Sequence, residues 1–214
     1  MTLVLYAIVE QDALSGDWLG EADMPLRAVT DGHLTALVRD APSPPTPDEP
    51  GLLAYERTME KLMGVTTILP ARFGAVVDDD AEVRSLLSER HDEFASALAR
   101  VRGAVELGLR ATVDVVVEDS SDAGSGTAYI WELLGRSRRA RAVAAELERT
   151  FADIVRAGSY RVADEGAAVA ASCLVDAEHV SEFVRRVGDL EQSNSGASFV
   201  CTGPWPPYSF TEAA

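Results

Sequence analysis

The order of apolar and polar positions predicts a mixed chain of short strands and amphipathic helices. Residues 3–9, Leu-Val-Leu-Tyr-Ala-Ile-Val, are an unbroken apolar run of strand length and predict a buried strand. An irregular loop is expected over 11–25. Leu26–Val29 and His33–Val38 flank Thr30-Asp31-Gly32, and an Asp-Gly pair tolerates the positive φ of a tight turn, so an antiparallel hairpin is expected. The proline-rich stretch 42–50 is extended, because proline fixes φ and disfavours helix in the residue before it. A helix over 52–63, stopped by Gly64, and a β-branched strand over 65–69 follow. After Asp78-Asp79-Asp80, which can cap free amides, Val83, Leu87, Phe94, Leu98 and Val101 recur at helical steps. These positions predict one helix over 80–102, stopped by Gly103.

The second half reads as a strand over 107–117, a polar loop over 118–126 and an Ala- and Arg-rich helix over 127–157. Strands near 160–162 and 167–175, a helix over 178–190 and a strand over 198–202 complete it. From Leu107 onward this is β-α-β-β-α-β, the split βαβ or ferredoxin-like order. The expected fold class is therefore α+β in two domains. Residues 1–103 form a small α+β domain with an antiparallel hairpin and the connecting helix 80–102. Residues 104–214 form a modified ferredoxin-like domain that ends in a Pro/aromatic tail at 203–214. No internal repeat is seen.

Charge narrows the partners. The 214 residues include 35 acidic and 19 basic side chains, a formal net charge of −16. A field of that sign repels phosphate backbones and anionic lipid, which excludes nucleic acid and membrane as expected partners. Two cysteines, Cys173 and Cys201, are too few for a disulfide framework, and no run approaches the ~20 apolar residues of a membrane helix. A cytoplasmic protein with reduced thiols is expected.

Candidate chemistry is sparse. His33, His91 and His179 share no ligand spacing with cysteines or carboxylates. The cysteines read as small buried hydrophobes. Gly124-Ser125-Gly126 lacks the third glycine and the lysine of a phosphate loop, and reads as a connector. Arg136, Arg138, Arg139 and Arg141 form the one basic concentration; Glu132, Glu146 and Glu148 on the same helix favour a solvated, salt-bridged face over a dock for an acidic partner. No catalytic residue, metal ligand or cofactor is expected.

Two segments stand apart. In Leu69-Pro70-Ala71-Arg72-Phe73-Gly74 a proline ends the strand, and a glycine lets the backbone bend sharply beside Arg72 and Phe73. In Gly203-Pro204-Trp205-Pro206-Pro207-Tyr208-Ser209-Phe210 the prolines hold a tail extended while three aromatics offer large apolar area. L-P-x-R-F-G before an acidic helix start, joined to a terminal G-P-W-P-P-Y-x-F, resembles the gas vesicle protein F/L family (GvpF and GvpL). The resemblance also takes in the opening Leu5-Tyr6-Ala7-Ile8 strand and the Glu106 segment. Ala71 and Ala75 stand where a larger aliphatic and a Thr or Ser are expected, and Tyr55 replaces a histidine.

The resemblance implies a non-enzymatic accessory protein of gas vesicle assembly. As chaperone, nucleation factor or minor component, it would bind the hydrophobic major shell protein and other gas vesicle proteins. The alternative is a small-molecule-binding or oxygenase-like enzyme on a ferredoxin-like fold, since fold alone carries no function. The functional residues are expected in the two motifs: Leu69, Pro70, Arg72, Phe73 and Gly74, and Gly203, Pro204, Trp205, Pro206, Pro207, Tyr208 and Phe210. Phe73 is expected to be buried where the two domains meet. The tail is expected to leave the sheet at Gly203, with Trp205, Tyr208 and Phe210 docked in apolar grooves.

Overall fold

The computed structural model describes residues 2–13, 26–113, 125–163, 168–194 and 196–211, with the side chains of 125–133 left undescribed. The expected loops at 14–25 and 118–124, and the strand's extension over 114–117, lie outside these residues. Contacts divide the chain into two compact units, Met1–Ala104 with Trp205–Ala214, and Val105–Pro204. Sequence order places Trp205–Ala214 after the second unit, but its contacts group it with the first.

The first unit is built on β1 (Thr2–Glu10), β2 (Arg27–Asp31), β3 (Leu34–Ala41), β4 (Leu69–Pro70) and β5 (Val76–Val77). The strand order is β2-β3-β1-β4, with β5 also paired to β1. The expected hairpin is present, with Thr30 opposite Thr35 and Gly32 at φ 56° in the turn. α1 (Glu49–Val65) begins earlier than the apolar pattern indicates. Asp48 accepts a 2.8 Å bond from the Gly51 amide, and Pro50 occupies the first turn, where its missing N–H costs nothing. Gly64 lies inside the helix and does not end it; the Thr66 amide closes the last turn on the Leu62 carbonyl. The expected strand at 65–69 shrinks to Leu69–Pro70.

The helix expected over 80–102 is two helices, α2 (Asp80–Glu89) and α3 (His91–Val101), joined at Arg90. Asp79 caps α2 by accepting from the amides of Ala81 and Glu82. The joint lets each helix lie on different strands: α2 reaches β2 and β3, α3 reaches β1 and β4. α1 covers the other face, where Tyr55, Met59 and Leu62 meet Val4, Tyr6, Val9, Leu37 and Ala41.

The second unit contains β6 (Ala104–Val113), α4 (Ser125–Phe151), β7 (Val155–Val162), β8 (Ala168–Asp176), α5 (Val180–Ser193) and β9 (Ala197–Trp205). Its strand order, β7-β8-β6-β9, is that of the split βαβ arrangement. Leu107, Leu109, Ala111 and Val113 alternate inward from β6 and meet Leu147 and Phe151 of α4 and Phe183 and Val187 of α5. Phe151 and Phe183 stack at its centre, 4.1 Å apart and 22° from parallel.

Candidate functional site

The Leu69–Gly74 motif interrupts a sheet edge. β4 pairs with β1 at Ala7 and Ile8, and β5 rejoins it at Leu3 and Val4. Between them residues 71–75 leave the ladder, although the Ala71 amide still donates to the Tyr6 carbonyl at 2.8 Å and the Leu5 amide to the Ala75 carbonyl at 2.9 Å. The excursion is a tight turn in which the Ala75 amide donates to the Arg72 carbonyl at 3.0 Å. Gly74 takes φ 79° in the third position of that turn while Phe73 keeps a negative φ, which is the type II geometry that calls for glycine. On its other side β1 shifts register against β3 between Leu5 and Ala7. That bulge reverses the parity of the strand, so Val4 and Tyr6 before it and Ala7 and Val9 after it enter the same cluster.

The turn holds Phe73 edge-on against Tyr55 of α1, with centroids 5.4 Å apart at 87°. Tyr55 in turn stacks on Tyr6 at 5.4 Å and 29°, and the Arg39 guanidinium lies 5.5 Å from the Tyr6 ring. Gly51, beside Phe73, leaves room for the N-terminal cap of α1: a Cβ there would stand 2.7 Å from the Thr46 carbonyl oxygen and 2.9 Å from Oδ1 of Asp48. Phe73 is half-buried, less than the full burial expected, and Arg72 is exposed at the turn.

The tail reaches the same cluster. The Tyr208 hydroxyl donates to the Tyr55 hydroxyl at 3.3 Å, and the Tyr55 hydroxyl donates to the Ala71 carbonyl. Tyr55 therefore ties three segments together: the first turns of α1, the interrupted edge, and residues from the far end of the chain. Burial, and then the Tyr208 hydroxyl, push the Tyr55 phenol well above its ordinary range; burial also raises Tyr6, against an opposing pull from Arg39. Tyr55 stays neutral at physiological pH and serves as a hydrogen-bonding hub. The helix pattern offers one signal for it, because Tyr55, Met59 and Leu62 recur on the buried face of α1.

The tail departs from expectation in two ways. It stays in strand geometry through Gly203 and Pro204 to Trp205, which proline permits because β9 is the last strand of its sheet. Its buried members are Pro206 and Pro207, while Trp205 and Tyr208 are 41% and 38% exposed and Phe210 is half-buried. Amide bonds from Tyr208 to the Pro206 carbonyl (2.7 Å) and from Phe210 to the Pro207 carbonyl (3.0 Å) curl the end into a short turn.

Elsewhere, Cys173 and Cys201 are free thiols in the second unit, and burial pushes Cys173 up to about 11. Among the described residues no group of three or more His, Cys, Asp or Glu side chains could hold a metal ion. No helix among them is long and apolar enough to cross a membrane.

Known proteins carry the same plan. The profile of the family "Gas vesicle synthesis protein GvpL/GvpF" matches residues 2–128 and 134–212. A gas vesicle protein F of Streptomyces sp. strain CB03234 is 30% identical, with 91% of each chain covered. A gas vesicle protein L of the same strain is also 30% identical, over 75% of this chain and 68% of its own. The crystal structure of the gas vesicle protein GvpF from Anabaena sp. PCC7120 superposes with a TM-score of 0.81 at 17% identity, covering 100% of this chain and 99% of that one. That of GvpF from Microcystis aeruginosa gives 0.78 at 18% identity, with 99% of each covered.

Proposed function

The chain belongs to the gas vesicle synthesis GvpL/GvpF family and has an accessory role in gas vesicles; on that premise we propose that it is a cytoplasmic, non-enzymatic assembly factor that binds the hydrophobic major shell protein and other gas vesicle proteins. The observation that carries this reading is the tail. Pro206 and Pro207 are buried and hold the segment, while Trp205 and Tyr208 on either side expose 41% and 38% of their surface. Large aromatics held on a rigid support are the anchors that protein interfaces use, at low entropic cost. Leu52 and Leu53, 41% and 43% exposed, lie within one turn of Tyr55 on α1 and add apolar area near the hydroxyl that Tyr208 contacts.

In this reading Leu69, Pro70, Phe73 and Gly74 build the platform, and Gly203, Pro204, Pro206, Pro207 and Phe210 set the course of the tail. Trp205, Tyr208 and the exposed Arg72 meet the partner. An acidic body of charge −16 keeps such a protein soluble while it holds an apolar subunit. The test is a pull-down of the major shell protein, and of each other product of the gas vesicle cluster, by the Trp205→Ala/Tyr208→Ala protein. Capture of the shell protein is expected to fall about tenfold with the unfolding midpoint little changed. A control at Val200, exposed in the second unit, is expected to bind as wild type. Undiminished capture by the double variant would overturn the reading.

A further inference from the structure

Three arginines of α4 stand outside the salt-bridged face that the neighbouring glutamates suggest. Arg138, Arg139 and Arg141 are exposed, and none is in an ion pair among the described residues. Arg27, Arg90, Arg185 and Arg186, by contrast, each lie against one or two carboxylates. Sequence spacing explains the difference. The positions three and four residues beyond Arg138 are Arg141 and Ala142, and those beyond Arg141 are Ala144 and Ala145, so no acid is within helical reach. Glu146 is turned instead to Asn194, whose side-chain amide donates to it at 3.4 Å.

Leu134, Arg138, Arg141 and Ala145 recur at steps of four, three and four, and all four are exposed, so they form one stripe along the helix. Leu134 gives it an apolar end, 51% exposed. Ala142 and Ala145, both exposed, keep the surface low between the guanidinium groups. Arg139 flanks the stripe and is seated on the buried Gly196 before β9: a Cβ at Gly196 would stand 2.1 Å from its Nη2 and 2.9 Å from its Cζ. Gly196 lies in the turn closed by the Ala197 amide on the Asn194 carbonyl, at 3.4 Å, and its bare Cα leaves the space that the Arg139 guanidinium fills.

We propose that this stripe of α4, with Arg139 beside it, docks an acidic helical segment of a partner protein. Guanidinium forks pair bidentately with carboxylates, and two of them one turn apart match carboxylates spaced by a helical turn on a facing helix. Charge complementarity selects this occupant. On a chain of net charge −16, a long polyanion meets repulsion well beyond the stripe, whereas a short acidic segment contacts only the arginines. The inference uses only the second unit and stands apart from the tail's proposed contacts.

The test is fluorescence anisotropy with a labelled helical Ala/Glu peptide carrying its carboxylates along one face, and with inorganic polyphosphate as competitor. The Arg138→Glu/Arg141→Glu protein is expected to bind the peptide about tenfold more weakly than wild type. Arg57→Glu/Arg161→Glu, with the same change of net charge at exposed arginines elsewhere, is expected to lose less than about twofold. Gly196→Ala, which displaces the flexible end of Arg139 without altering charge, is expected to weaken binding about threefold at unchanged circular dichroism. Absence of peptide binding by wild type, equal losses in the two double variants, or tighter binding of polyphosphate than of the peptide would each overturn the proposal.

Discussion

The two units bury their sheets differently. In Val105–Pro204, β6 alternates: Leu107, Leu109, Ala111 and Val113 face the helices, while Arg110 and Thr112 between them are exposed. In Met1–Ala104 with Trp205–Ala214, β1 is buried at Leu3, Val4, Tyr6, Ala7, Ile8 and Val9, because α1 covers one face and α2 with α3 the other. A strand covered on both faces has no polar side left to present. The first unit's sheet is irregular at its edge, where the chain opens into the Arg72–Ala75 turn and receives Tyr208. The second unit completes its core from one continuous stretch; the first draws on both ends of the chain.

Core truncation tests that contrast most severely. Phe183→Ala removes a fully buried ring from the stack with Phe151 and is expected to cost ~3–5 kcal/mol in denaturant unfolding. Phe73→Ala removes a half-buried ring held by one edge contact and is expected to cost less, about 1.5–3 kcal/mol. Equal costs would mean that the edge cluster is as much a core as the second unit's interior.

Glycine substitutions sharpen the picture of the edge. Gly74→Ala forces a side chain into φ 79° and is expected to cost about 1–2 kcal/mol. Gly64→Ala, inside α1 with nothing within 4 Å of its Cβ, is expected to stabilise by about 0.5–1 kcal/mol. Opposite signs in thermal unfolding would confirm that only the turn glycine is there for its backbone.

Alkaline titration probes one buried tyrosine in each unit. Burial raises Tyr55 in the first unit and Tyr160 in the second, so each adds stability that is whole below the unfolded phenol range. Above about pH 10 the unfolded chain ionises first, and Tyr55 removes up to ~1.4 kcal/mol per pH unit until its folded form ionises as well, while the half-buried Tyr160 removes less. Tyr55→Phe is expected to flatten this alkaline loss, as is Tyr160→Phe, and a slope unchanged in Tyr55→Phe would deny the hub its burial.

The smallest effect is acidic. Hydrogen bonds from Arg185 and then Arg186 hold Glu182 down to about 2. Its contribution is present above its ordinary 4.5 and is lost as pH falls towards 2, so Glu182→Gln is expected to give a slightly flatter acid limb in the unfolding midpoint.

The chain's own pattern is most legible where burial is one-sided. The β-α-β-β-α-β order from β6 to β9 follows from alternation and helical repeats, as do the Asp31-Gly32 hairpin and the capped start of α2. The two motifs stand out because proline, glycine and aromatics so close together serve little purpose in a plain strand. What apolar spacing leaves open is geometric. A continuous apolar stripe cannot register a joint, and Val83, Leu87, Phe94 and Leu98 stay in phase across the break at Arg90. Tyr55 reads as one apolar position among several on α1, since its hydroxyl bonds reach residues 16 and 153 positions away. Arg138 and Arg141 of α4 look neutralised by nearby glutamates until the helix phase and the pull of Asn194 on Glu146 are fixed. Local periodicity settles which face of an element is apolar; pairings between distant segments depend on how the chain returns, and only the tertiary structure decides them.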